Sequence, residues 1–145
     1  IDKSWMKTTF TGYVIEYHGL TVYFPGDTAY NGTFFAATRE RFPSIDLALL
    51  PIAPIEPRGY MRHTHMDPGE AVQAFFDLGA KAFVPLHFDT FINGGDRPGE
   101  APRLLREAAR KAGISDRVFI LKQGGQKVIV PNAVPSLKAP TSEED

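Results

Sequence analysis

Short apolar runs separated by turn residues, switching between a two-residue and a helical period, fill most of the chain. Residues 8–16 and 20–24 read as strands flanking His18-Gly19, and Gly19 suits the positive φ that tight hairpins favour, so the two are predicted to pair. His18 is then a turn residue. Residues 31–42 read as a short helix, and 45–52 as a buried strand carrying Asp46-Leu47-Ala48-Leu49-Leu50 and ended by Pro51. Pro51, Pro54 and Pro57 then impose an extended loop. Asp67 is placed to cap a helix with Pro68 at its first position and Glu70 at its third, and Ala71, Val72, Phe75 and Leu78 follow at helical spacing before Gly79. Residues 81–86 form the next predicted strand. Leu104, Leu105, Ala108, Ala109 and Ala112 line one face of a further helix that stops at Gly113. Residues 118–121 and 127–130 are predicted strands around Gly124-Gly125, and strands alternating with helices make this an α/β chain.

Composition narrows the picture without deciding it. A chain of 145 residues, 43% hydrophobic and 12% aromatic, fits one globular domain over residues 1–131, followed by a Pro-, Ser- and acid-rich surface or disordered tail at 132–145. It starts at Ile1 rather than Met, which suggests processing or one piece of a larger protein. A net charge of −1 without blocks of like charge gives no reason to expect nucleic acid as a partner. No apolar run approaches the roughly 18 residues of a membrane span, so a soluble, cytoplasmic or peripheral protein is expected. Homo-oligomerisation stays open.

Three polar residues break the apolar pattern. His87 ends the run Ala82-Phe83-Val84-Pro85-Leu86, Asp27 closes Val22-Tyr23-Phe24-Pro25-Gly26, and His65 stands just before the Asp67 helix start. Two histidines and a carboxylate at strand ends suggest a metal. With no Cys in the chain, its ligands must be His and carboxylate, which suits zinc, with iron or manganese as alternatives. Arg58 can hold a phosphate through its guanidinium, or pair with Glu56 or Asp46. His63 imitates half of a ligand pair with His65. Phe34, Phe35, Phe75 and Phe76 are expected in the core.

These motifs occur in an order that resembles the C-terminal half of a metallo-β-lactamase-fold hydrolase. The resemblance runs through Gly12-Tyr13-Val14-Ile15, Pro25-Gly26-Asp27-Thr28, Ile45-Asp46-Leu47-Ala48-Leu49-Leu50-Pro51, Glu56-Pro57-Arg58, His65-Met66-Asp67-Pro68 and Pro85-Leu86-His87. It is nearest to the N-acylphosphatidylethanolamine-hydrolysing phospholipase D group, with the ascorbate-6-phosphate lactonase branch more distant. The resemblance implies an αββα sandwich and two metal ions, usually zinc, sharing a water. Asp27 would bridge the ions, His87 would be a terminal ligand of the second metal, and His65 would lie beside the substrate. The family's His-x-His-x-Asp-His motif is absent from these 145 residues. The resemblance therefore implies that an N-terminal half, upstream or on a separate chain, completes the site.

Two departures are local. Phe88-Asp89 stands where the group has Trp-Gly, so Asp89 is a candidate outer partner for His87. Ala53-Pro54-Ile55 replaces a Gly-Ala-Tyr-like stretch. The expected activity is hydrolysis of a small-molecule or lipid phosphodiester. Lactone or ester hydrolysis is the alternative within the fold, and a non-catalytic binding module is the alternative outside enzymology.

Overall fold

The computed structural model describes residues 11–91 and 94–130. Four strands form a sheet in the order β1 (Tyr13–Tyr17), β2 (Leu20–Phe24), β3 (Leu47–Pro51) and β4 (Ala82–Leu86). The hairpin β1–β2 is antiparallel, with Tyr17 opposite Leu20, and His18 and Gly19 turn at φ 46° and 79°. The strands β2, β3 and β4 run parallel, so the carboxyl ends of β2, β3 and β4 reach the same edge. The predicted strand at 8–16 is observed from Tyr13, its first three positions lying outside the described residues.

The helices start and stop at recognisable caps. Helix α1 (Gly32–Arg41) is capped by the Asn31 side chain, which accepts from the Phe34 N–H at 3.0 Å. Helix α3 (Pro68–Leu78) carries the predicted capping box between Asp67 and Glu70, and Gly79 ends it at φ 62°. Helix α4 (Glu100–Lys111) buries Ala101, Leu105 and Ala109, one residue per turn. The third helix in space sits between the other two: α3 packs against both α1 and α4, and all three cover one face of the sheet.

That face holds the core. Tyr23, Phe35, Ala48, Leu50, Phe75 and Phe83 are buried between sheet and helices, and the Phe75 and Phe83 rings stack at 5.9 Å. The opposite face carries Ile15, Val22, Leu47, Leu49, Val84 and Leu86, none of them fully buried. Of the four phenylalanines expected inside, Phe35 and Phe75 are buried, whereas Phe34 and Phe76 point outward at 53% and 40% exposure. Phe34 and Phe35, like Phe75 and Phe76, are adjacent on their helix, about 100° apart, and in each pair one large ring falls outside the buried stripe.

Two further expectations differ from the structure. Residues 118–121 make a single bridge, Val118 to Phe83, and residues 127–130 form no strand. The first segment pairs only briefly with β4, the Phe119 N–H donating to the Phe83 carbonyl at 2.8 Å, and in the second Val128 and Val130 stay 80% and 74% exposed. The proline-rich stretch carries no helix or strand from Ile52 to Pro57, as expected, and a four-residue helix α2 (Arg58–Met61), which the pattern did not show, follows it.

At the amino-terminal side of the parallel strands, Asp46 is buried and accepts from the Thr21 N–H at 2.9 Å and from Lys81 Nζ at 2.7 Å. Burial alone would raise its pKa; the Lys81 hydrogen bond, the Thr21 N–H and the Lys81 charge together outweigh it and hold the pKa below the usual value. Asp46 thus ties β2, β3 and β4 together at that edge.

Candidate metal centre

Asp27, His65 and His87 meet at the carboxyl edge of the sheet. Parallel strands deliver their following loops to this edge, which is where α/β sheets gather ligand-binding groups. Asp27 follows β2 through Gly26, whose φ of 69° turns the chain, and His87 follows β4 directly. Asp27 Oδ2 lies 3.4 Å from His87 Nε2, and one donor atom from each of Asp27, His65 and His87 falls within 4.8 Å of the other two. Among the described residues this is the group able to hold a metal.

His87 is fixed by its backbone and by one hydrogen bond. Its φ is 58°, in the left-handed region that non-glycine residues rarely occupy. Its Nδ1 lies 2.8 Å from the Ala53 carbonyl oxygen, which can only accept, so Nδ1 carries a proton and Nε2 is the ring atom left beside Asp27. A carbonyl behind a ligating imidazole is a usual outer partner in metal sites. The carboxylate of Asp89, the expected partner, is instead used by the Gly99 N–H at 2.9 Å.

His65 comes from the turn between α2 and α3. Its imidazole stacks on that of His87, with centroids 5.3 Å apart and planes 14° from parallel. Thr64 Oγ1 lies 2.9 Å from His65 Nδ1, leaving Nε2 without a hydrogen-bond partner among the described residues. Burial, then the His87 charge, lowers the His65 pKa; Asp27 opposes this and Arg58 adds to it. The neutral ring is favoured. The Met66 N–H donates to the Thr28 carbonyl at 3.0 Å and so ties this turn to the Asp27 loop.

Arg58 does not pair with Glu56 or Asp46 through its side chain. Its guanidinium donates to the His65 carbonyl at 3.2 and 3.3 Å, lies 3.3 Å from Asp67 and pairs with Glu70. Glu56 accepts from the Arg58 backbone N–H at 2.7 Å, and Asp46 is taken by Lys81. Arg58 thereby links the α3 cap to the backbone of His65. His63 is exposed and stands outside the three-donor group.

The donors fit a divalent metal. Tetrahedral zinc with Zn–N and Zn–O bonds of about 2.0–2.1 Å sets neighbouring donors about 3.4 Å apart. The Asp27–His87 separation is 3.4 Å. Sequence reasoning did not reach the Ala53 carbonyl or Thr64, since a backbone oxygen leaves no mark on sequence and Thr64 shows no pattern of its own.

A sequence profile described as a β-lactamase superfamily domain matches residues 2–88. The chain belongs to the β-lactamase superfamily. Within the superfamily it is 29% identical over 120 residues to the mitochondrial N-acyl-phosphatidylethanolamine-hydrolyzing phospholipase D of Saccharomyces cerevisiae, covering 81% of this chain and 26% of the relative. It is 35% identical over 98 residues to a UPF0173 metal-dependent hydrolase of Thermococcus kodakarensis, covering 68% of this chain and 40% of the relative. In three dimensions it resembles Igni18, a metallo hydrolase of the archaeon Ignicoccus hospitalis, with a TM-score of 0.59 and 27% identity over 81% of this chain and 44% of that one. The fold is therefore the mixed α/β fold of the metallo-β-lactamase type. This superfamily member spans about a quarter to two fifths of the length of the curated relatives it matches.

Proposed function

We propose that the chain supplies the second half of a dinuclear metal-dependent hydrolase site acting on a phosphodiester. The convergence of Asp27, His65 and His87 donor atoms at one sheet edge, with His87 Nδ1 bound to a carbonyl, carries this reading. The relatives named as metal-dependent hydrolases support the reaction class, and the yeast phospholipase D supports the phosphodiester. Zinc suits the oxygen and nitrogen donors, with iron or manganese as alternatives. The remaining ligands would come from an N-terminal half outside these 145 residues, in keeping with the greater length of the relatives.

In this reading Asp27 and His87 hold metal, and a bound metal pair would acidify a water and offset the negative charge gathered on phosphorus. The chain's own residues do the rest. Water oxygen bonds to phosphorus, the bond from phosphorus to the departing oxygen breaks, and that oxygen takes a proton. His65 Nε2, which has no hydrogen-bond partner among the described residues, can hold or pass that proton. Arg58 keeps His65 in place through its carbonyl rather than touching substrate.

Metal content by mass spectrometry, with bis(p-nitrophenyl) phosphate and a lactone panel as substrates, tests the proposal. Bound metal that falls in Asp27→Ala and His87→Ala, with phosphodiester cleavage, is expected. Metal retained in both variants would overturn the ligand assignment, and lactone cleavage alone would move the activity to carbonyl esters.

A further inference from the structure

Next to His87 lies a cavity of about 350 Å³ whose lining includes neither Asp27 nor His65. Its walls include Pro54, Phe88, Phe91, Pro98 and Ala101, and His87 lines it as well. The cavity and the metal centre therefore share one side chain.

Three features show that it is shaped by the chain. Asp96 accepts from the N–H groups of Ile55 and Glu56 at 2.6 and 2.7 Å, which locks the loop after β3 to the segment before α4. Asp89 accepts from the Gly99 N–H and so closes the same ring from the β4 side. Both His87 and Asp89 have a φ of 58°, and this unusual backbone on either side of Phe88 sets that ring against the core. The acidic groups of the lining thus bind backbone, and apart from His87, Thr90 and Arg97 the walls left for a ligand are apolar.

Phe91 stands at the cavity and is 78% exposed. An aromatic ring left in water beside an apolar cavity next to a reactive centre is suited to cover a ligand that enters there.

We infer that this cavity binds the apolar organic arm of the substrate, the part carried on the ester oxygen, while the phosphoryl group sits at Asp27, His65 and His87. The inference rests on the proposed hydrolase reading and adds to it a substrate class: phosphate esters with an alkyl or aryl arm, ahead of those with small polar groups. Phe88, Phe91 and Pro54 contact the arm, and its length is limited by the cavity.

Alkylphosphonates test this, because their carbon–phosphorus bond is not cleaved and only binding is read. Affinities of methyl-, butyl- and hexylphosphonate for the metal-loaded protein are measured by calorimetry. In the wild type each added methylene is expected to tighten binding about two- to fourfold. Thr90→Trp, which puts an indole into the cavity from an exposed position, and Phe91→Ala, which removes a wall, are both expected to flatten that dependence. Methylphosphonate binding with no chain-length dependence, or the same dependence in both variants, would overturn the inference and leave the hydrolase reading standing. No phosphonate binding to the metal-loaded wild type would overturn both.

Discussion

His87 combines two properties that rarely meet in one residue: a backbone in the left-handed region and an imidazole whose proton is fixed by the Ala53 carbonyl. If the conformation is kept for the sake of the ligand atom, removing the side chain should lose metal, and glycine should then relax the backbone where alanine does not. Metal affinity is expected to fall at least about tenfold in both His87→Gly and His87→Ala. The glycine variant is expected to be about 1 kcal/mol the more stable of the two by denaturant unfolding. Equal stability would mean that the backbone carries no strain at this position. Asp46 gives a pH prediction. Its folded-state pKa is depressed, so its contribution is complete above its unfolded value of about 4 and is lost as pH falls through the folded value. Asp46→Asn should therefore cost about 1–3 kcal/mol at neutral pH, with the gap to wild type closing in acid. A gap independent of pH would show that the carboxylate charge is not what matters. His87 was legible because it is polar at the end of an apolar run, and Asp46 because it is a carboxylate inside one. Their partners were not: a carbonyl is common to every residue, and the choice of Asp67 and Glu70 by Arg58 depends on how α2 folds back.

Helix α3 was the most readable element, since its cap, its first-turn proline, its apolar spacing and its terminal glycine all state the same boundaries. The structure gives the cap a second task. Asp67 accepts from the Glu70 N–H at 2.8 Å and also lies 3.3 Å from Arg58, whose guanidinium reaches the His65 carbonyl. Asp67→Ala should thus lower stability by about 1 kcal/mol through the lost cap and also loosen His65. The second effect is checked by hydrogen exchange at the amides of residues 64–66, which should speed up more than those in the middle of α3. Equal acceleration along the whole helix would reduce Asp67 to an ordinary cap. Elements without such local signals were misread. Residues 127–130 have strand composition but pair with no strand among the described residues, and α2 is too short to show a period, its first turn set by Pro57. Pattern reports which face an element can bury, and only packing decides whether a neighbour is there to bury it.

The sheet as a whole has one finished face and one unfinished. Helices α1, α3 and α4 cover the side of Tyr23, Leu50 and Phe83. On the other side, among the described residues, no helix covers Ile15, Val22, Leu49 and Val84, and at its margin Tyr13, Ile15 and Tyr17 are 56%, 52% and 70% exposed. A contiguous apolar surface of this kind is an interaction surface or an aggregation hazard in a free domain. We propose that the N-terminal half of the fold lies against it, which would also bring the missing ligands to the edge where Asp27 and His87 stand. The 145 residues alone should then associate at micromolar concentration in analytical ultracentrifugation and bind an apolar dye, and the N-terminal half should abolish both. Ile15→Lys should reduce self-association of the isolated chain while weakening capture of the N-terminal half, because both would use the same face. A monodisperse, dye-silent monomer would show that this face needs no partner, and the remaining metal ligands would have to reach the site by another route.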